Sequence, residues 1–231
     1  MTMTQTDTTQ TNSPTNHETP LAGKTAVVAA GAKNLGGLIS TRLAGLGADV
    51  AVHYNSDSSR ADAEKTQAAI AELGTKAILV QGDLTLPVNV TTLFDQAVDA
   101  FGGVDIAINT VGKVLRKPIV ETTEDEYDDM FAINSKAAFF FLQEAGKRCN
   151  DDATIITIVT SLLAAYTDGY ATYAGERARW STSPAPRPRS SPIVASGSTA
   201  SHRVRWTPRS STRKRRRSGW SSTSRRRSAT D

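Results

Sequence analysis

The chain has 231 residues, with 27 Lys and Arg against 23 Asp and Glu and a formal net charge of +4. That mean hides two unlike pieces: residues 1–175 carry 12 Lys/Arg and 21 Asp/Glu, whereas residues 176–231 carry 15, 14 of them Arg, and two acids, Glu176 and Asp231. The single cysteine, Cys149, excludes an internal disulfide framework and a cysteine-based zinc site, and no apolar run is long enough to span a bilayer.

Residues 1–20, rich in Thr, Asn and Gln, read as a disordered polar leader. They have neither the basic start nor the apolar stretch of a signal peptide, so a soluble cytoplasmic protein is expected. From residue 21, apolar runs of strand length alternate with segments of helical period. Residues 24–30 (KTAVVAA) predict a strand entering a glycine-rich turn, and 38–47 (LISTRLAGLG) place Leu38, Leu43 and Leu46 near one helical face. A second strand over 49–53 (DVAVH), a second helix over 61–73 stopped by Gly74 and a third strand over 76–81 (KAILVQ) follow. Residues 88–101 predict a helix with apolar positions 90, 93, 94, 97, 98 and 101, ended by Gly102-Gly103. The fourth strand is 105–109 (DIAIN), one or two helices fill 123–149, and 154–160 (TIITIVT) is the fifth strand. Short buried strands alternating with amphipathic helices imply a parallel sheet covered on both faces, a Rossmann-type doubly wound α/β domain over 21–175.

Sheets of this kind bind ligands beyond the carboxyl ends of their strands. The turn after the first strand reads Ala30-Gly31-Ala32-Lys33-Asn34-Leu35-Gly36-Gly37. Glycines there let backbone N–H groups approach a pyrophosphate at a helix N-terminus, where the dipole favours negative charge. Its place between strand and helix points to a dinucleotide rather than to an ordinary helix start. The second strand ends in His53-Tyr54-Asn55-Ser56 rather than in an acid, which would bind a ribose 2′-hydroxyl and repel a 2′-phosphate. With Lys33 in the turn, and Tyr54 and Asn55 as contacts, this favours NADP(H) over NAD(H). The alternatives are that Lys33 is a solvated loop charge and that Asp57 is the acid of a longer loop.

Further features follow in order: Asp83-Leu84 after the third strand and Asn109-Thr110-Val111-Gly112 after the fourth. Phe131-Ala132-Ile133-Asn134-Ser135-Lys136 then lies in a helix, and Ser161 stands twelve residues before Tyr173. In these motifs residues 21–175 resemble the short-chain dehydrogenases/reductases, of the subgroup that includes 3-oxoacyl-carrier-protein and other carbonyl reductases. The resemblance implies hydride transfer between a nicotinamide and a small carbonyl or alcohol substrate, and intact relatives that are homo-oligomers. It implies that Asp83 and Leu84 meet the adenine side of the cofactor, with Asn109 and Gly112 further along it. Residues 114–120 line the substrate pocket in this reading. Asn134, Ser161 and Tyr173 look like members of the family's catalytic tetrad, with Thr160 as a rival to Ser161 and Tyr170 as a rival to Tyr173. Leu35 stands at the family's middle glycine, so Gly36 takes that role in a shifted turn.

The largest departure is Arg177, where the family has lysine four residues after the tyrosine. In the family the tyrosine protonates the developing alkoxide, the serine holds the substrate oxygen and the asparagine anchors a water in the proton path. A phenol ordinarily ionises near pH 10, and the nearby lysine ammonium lowers it toward working pH. Arginine keeps the charge but is planar, bulkier and effectively never deprotonates.

Beyond Gly175 the hydrophobic periodicity ends, and 14 Ser and 5 Pro among residues 176–231 predict a disordered tail. One reading is a basic arm that binds nucleic acid nonspecifically through Arg213-Lys214-Arg215-Arg216-Arg217 and Arg225-Arg226-Arg227. The other is out-of-frame translation of a GC-rich gene. One A restored to codon 177 lets Glu-Arg-Ala-Arg-Trp-Ser-Thr-Ser-Pro-Ala (176–185) read Glu-Lys-Gly-Ala-Val-Glu-His-Phe-Thr-Arg, and the lysine returns. The same shift over 197–207 permits Val-Asn-x-Val-Ala-Pro-Gly, which resembles the segment after the sixth strand of these reductases. The frameshift is the favoured reading. It predicts a sheet truncated after about five strands, an uncovered edge beside the fifth, and little or no turnover.

Overall fold

The computed structural model describes residues 19–164, 167–182, 193–197 and 200–201. Strand β1 (Thr25–Ala29), buried at every position, runs through the glycine turn into α1 (Asn34–Gly45). Then come β2 (Asp49–Tyr54), α2 (Arg60–Glu72), β3 (Ala77–Gln81), α3 (Pro87–Phe101) and β4 (Ile106–Asn109). Helix α4 (Glu124–Phe131) passes through a π-helical turn, Ala132–Lys136, into α5 (Ala137–Arg148), which precedes β5 (Thr154–Ile158). Helix α6 (Ala171–Thr182), β6 (Ile193–Gly197) and the two-residue β7 (Ala200–Ser201) complete the described elements.

The sheet order is β3-β2-β1-β4-β5-β6-β7. Neighbours from β3 through β6 are parallel, and only β6–β7 is antiparallel. The order reverses between β1 and β4, where a doubly wound sheet opens its ligand crevice. Alternation along β1 sends Val27 and Ala29 to one face and Ala26 and Val28 to the other. On the first face α3 and α5 meet through Phe94 and Phe141, tilted with ring centroids 5.2 Å apart. On the second, Ala44 of α1 and Ala63 and Ile70 of α2 pack on Val50 and Val52.

Local chemistry sets the element ends. Thr123 and Glu126 form a reciprocal capping box at the start of α4, and Gly102 closes α3 in the left-handed conformation (φ 85°) that a side chain would strain. At the amino ends of the strands, Asp105 accepts from Thr25 N–H and Lys24 Nζ at 3.0 Å and from Asn150 Nδ2 at 3.1 Å. Burial opposes its ionisation, but these three donors together hold the Asp105 carboxyl below the usual range.

The doubly wound α/β domain is as the sequence predicts, but the expected tail requires a correction. Residues 176–182 complete α6, where Glu176 and Arg177 are buried, and residues 193–197 pair in parallel with β5. The edge expected to be open is therefore occupied. Ile193-Val194-Ala195 supplies the short apolar, β-branched run that an unpaired strand accepts as a neighbour. The leader through residue 18, both arginine clusters and the rest of the tail lie outside the described residues. Among the described residues no helix is long and apolar enough to cross a membrane.

Candidate functional site

A cavity of about 510 Å³ opens at the carboxyl ends of β1 through β4, within the range of small-molecule sites. Lys33, Asn34, Leu35 and Gly36 form one wall, Asn55, Asp83, Leu84 and Thr85 another, and Thr110 to Lys113 a third. Gly36 sits so close to the Ala30 carbonyl that a Cβ there would overlap it. A Cβ on Gly31 would lie 2.7 Å from Val28 O. Gly36 thus makes the close approach expected of the shifted turn, while Leu35 is about half exposed beside the cavity. No side chain caps α1 and no acid lies in its first turn, so nothing there competes with an anion. Lys33 Nζ stands 3.3 Å from the Asp62 carboxylate, both side chains being about half exposed. A bare helix start with a cation at its edge fits the pyrophosphate and phosphate groups of a dinucleotide.

Two residues brace the strand ends under this wall. His53 Nδ1 accepts from Ala30 N–H at 3.0 Å, so Nε2 carries the proton and donates to Gly82 O at 2.7 Å. Burial drives the His53 pKa down to about 4, against the opposing pull of Gly82 and Asp83. Thr110 Oγ1 donates to Ala29 O at 2.7 Å, tying the end of β4 to that of β1. Asn109 is buried, and its Oδ1 accepts from Val111 N–H at 3.0 Å.

Asn134 lies in the π-helical turn with no exposed surface. Its Oδ1 accepts from Lys113 N–H at 3.1 Å and its Nδ2 donates to Lys113 O at 3.0 Å, so the amide holds the chain just past Gly112. Ser161 is exposed in the 3-10 turn Ser161–Leu163, while the Thr160 hydroxyl accepts from Leu162 N–H at 3.3 Å. Tyr173 is half-buried in α6, with its ring centroid 6.4 Å from that of Tyr170. Helix α6 packs on the 3-10 turn and on the π-helical turn. Ser135 Oγ donates to the buried Glu176, at 2.5 Å to the carboxylate and 3.0 Å to the carbonyl.

Arg177 reaches across the ends of two strands. Its Nη1 donates to Ile158 O at 2.8 Å and its Nη2 to Val111 O at 2.9 Å, and a Cβ on Gly112 would collide with the guanidinium. The side chain is only 4% exposed, with Cζ 5.8 Å from the Tyr173 ring centroid. Burial pulls the Arg177 pKa down, and Tyr173 beside it pushes back. Three buried polar atoms at these strand ends have no partner among the described residues: Asn109 Nδ2, Thr157 Oγ1 and Arg177 Nε.

The expected cofactor contacts Lys33, Asn34, Leu35, Gly36, Asn55, Asp83, Leu84 and Gly112 therefore share one cavity. Gly31, Gly37 and Asn109 are buried and do not line it. Tyr54 is a correction: it is 4% exposed, packs in the core under α1 and α2, and turns its hydroxyl to Gln81 Oε1 at 3.3 Å. An aromatic at the last position of β2 points inward because the preceding strand residues are buried on both faces. Asp57 is exposed and pairs with Arg60 at 3.3 Å. Of the expected substrate segment, Val114, Ile119 and Val120 are exposed, and Ile119 lines a second, shallow apolar groove with Tyr127 and Ala171. His53 and Lys113 border the first cavity without having been singled out from sequence.

The profile of the Enoyl-(Acyl carrier protein) reductase family matches residues 29–182. A hydroxynaphthalene reductase-like protein, Arp2, of Metarhizium majus is 36% identical over 71% of this chain and 61% of its own length. A crystallised Burkholderia cenocepacia protein described as a dehydrogenase, with NADP bound, superposes at a TM-score of 0.67. It is 56% identical, over 68% of this chain and 60% of that one. A blue fluorescent protein from a metagenomic library, in complex with NADPH, is 34% identical at a TM-score of 0.66, over 69% of this chain and 65% of that one. The chain belongs to the short-chain dehydrogenase/reductase family. It spans about three fifths of the length of the curated relatives it matches.

Proposed function

We propose that this fold serves an NADP(H)-dependent oxidoreductase acting on a carbonyl or alcohol, a 3-oxoacyl compound or similar ketone, and that the 231-residue chain turns over weakly or not at all. The observation that carries the cofactor is the bare, glycine-lined start of α1 with Lys33 beside it and Asn55, not an acid, after β2. The NADP and NADPH bound by similar structures support the same choice. When bound, the dinucleotide supplies or accepts the hydride. On the protein side, the Ser161 hydroxyl holds the substrate oxygen, and the Tyr173 phenol exchanges the proton that the oxygen gains or loses. Asn134 sets the backbone at Lys113, and Ser135 docks the helix bearing Tyr173 through Glu176.

Arg177 is the reason for weak turnover. Its fork is committed to two carbonyls, and a guanidinium does not relay a proton as an ammonium does. We further propose that this residue marks a one-base frameshift, since the added A returns lysine at the position and a reductase-like sequence beyond it. Sequencing the gene across codons 175–177, and assaying the base-restored product beside the 231-residue chain, tests both ideas. The restored product is expected to oxidise NADPH with a 3-oxoacyl thioester while the present chain stays near background. Robust NADPH-dependent turnover by the present chain would sink the proposal.

A further inference from the structure

We infer that Arg177 closes the nicotinamide end of the crevice, leaving a site for an adenosine bisphosphate rather than for a whole dinucleotide. This rests on the dinucleotide reading of the cavity. In a doubly wound sheet the adenosine ribose is met after β2, and the rest of the dinucleotide crosses the switch point between β1 and β4. The other half therefore falls over the ends of β4 and β5. Those ends are where the guanidinium sits: it bridges Val111 O, just past β4, and Ile158 O, the last residue of β5, and lies flush on Gly112. The cavity wall agrees, for it runs from Lys33 through Asn55 and Asp83 to Lys113 and includes none of Ser161, Tyr173 or Arg177.

Two charge-assisted hydrogen bonds from a rigid fork are not surrendered readily, and both acceptors are backbone that cannot turn away. Lysine at the same position presents a single point charge on a flexible stem and cannot span both carbonyls with one planar group. The adenosine half is untouched by the change, because Lys33, Asn55, Asp83 and Leu84 lie on the other side of the switch point.

Calorimetric titration of the full chain with NADP⁺ and with adenosine 2′,5′-bisphosphate tests this. The two ligands are expected to bind within about threefold of each other, because the nicotinamide half adds nothing. In Arg177→Lys, NADP⁺ is expected to tighten about tenfold while the bisphosphate is unchanged. Arg177→Met, which removes the fork but keeps an apolar stem, is the second variant should the lysine form fold poorly, and it moves NADP⁺ in the same direction. NADP⁺ binding more than about tenfold tighter than the bisphosphate in the unsubstituted chain overturns the inference alone. So does an unchanged ratio in both variants. Failure of both ligands to bind the unsubstituted chain overturns the cofactor reading and the inference with it.

Discussion

His53 makes the stability of this domain depend on pH in a window where few other groups titrate. Its ring is 2% exposed, and Nδ1 is occupied by the Ala30 N–H, so a second proton has no acceptor and must displace a backbone donor. The pKa falls from 6.5 in the unfolded chain to about 4 in the fold, because burial penalises the charged form more than Gly82 and Asp83 favour it. The folded state thus binds fewer protons than the unfolded one between these values, and stability rises with pH across them. The contribution is fully present above about pH 6.5 and is lost as the pH falls toward about 4. The whole shift corresponds to about 3 kcal/mol, and the part between pH 7 and 5 to about 2 kcal/mol. That is a large share of the roughly 5–15 kcal/mol by which domains are stable. Urea unfolding followed by circular dichroism at pH 5, 6 and 7 measures it. His53→Gln cannot titrate, so its urea midpoint is expected to be lower at pH 7 but to change little between pH 7 and 5. Equal pH slopes in the two proteins would refute the assignment of the effect to His53.

Gly36→Ala forces a Cβ onto the Ala30 carbonyl. It is expected to destabilise by about 1–3 kcal/mol and to weaken NADP⁺ binding, read by melting and by titration; an unchanged midpoint and affinity would show that the turn relaxes freely. The Cys149 thiol is pushed up to about 12 by burial and by Asp105, so native protein at pH 8 is expected to react with a thiol reagent about a thousandfold more slowly than its unfolded form. Labelling at the unfolded rate would count against that burial. Asp105→Ala removes three hydrogen bonds and leaves Thr25 N–H without its acceptor, a loss of about 1–3 kcal/mol in urea titrations. A loss below that range would mean that solvent substitutes for the carboxylate.

The strands, the glycine turn and the order of the motifs were readable in the sequence because each depends on near neighbours. Apolar period marks a strand, and glycine marks a turn in which a Cβ has no room, as at Gly36. His53 and Arg177 act over distance: the histidine joins residues 30 and 82, and the arginine joins residues 111 and 158. Nothing in the local pattern marks either partnership. At His53 the strand is buried on both faces, so the alternation that would flag an inward polar residue is missing. Tyr54, expected at the cavity, lies in the core at the end of the same strand. Composition hides β6, since Ile193-Val194-Ala195 is a three-residue run within a stretch rich in Ser, Pro and Arg.

The pairing of β6 with β5 separates two properties that usually fail together. A parallel ladder is made of amides and carbonyls, and every residue other than proline brings both. That ladder asks only for main-chain groups, so a segment of unpromising composition can pair along a sheet edge as readily as one of marked strand propensity. The β5 edge is thereby covered whatever the side chains of the pairing strand contribute.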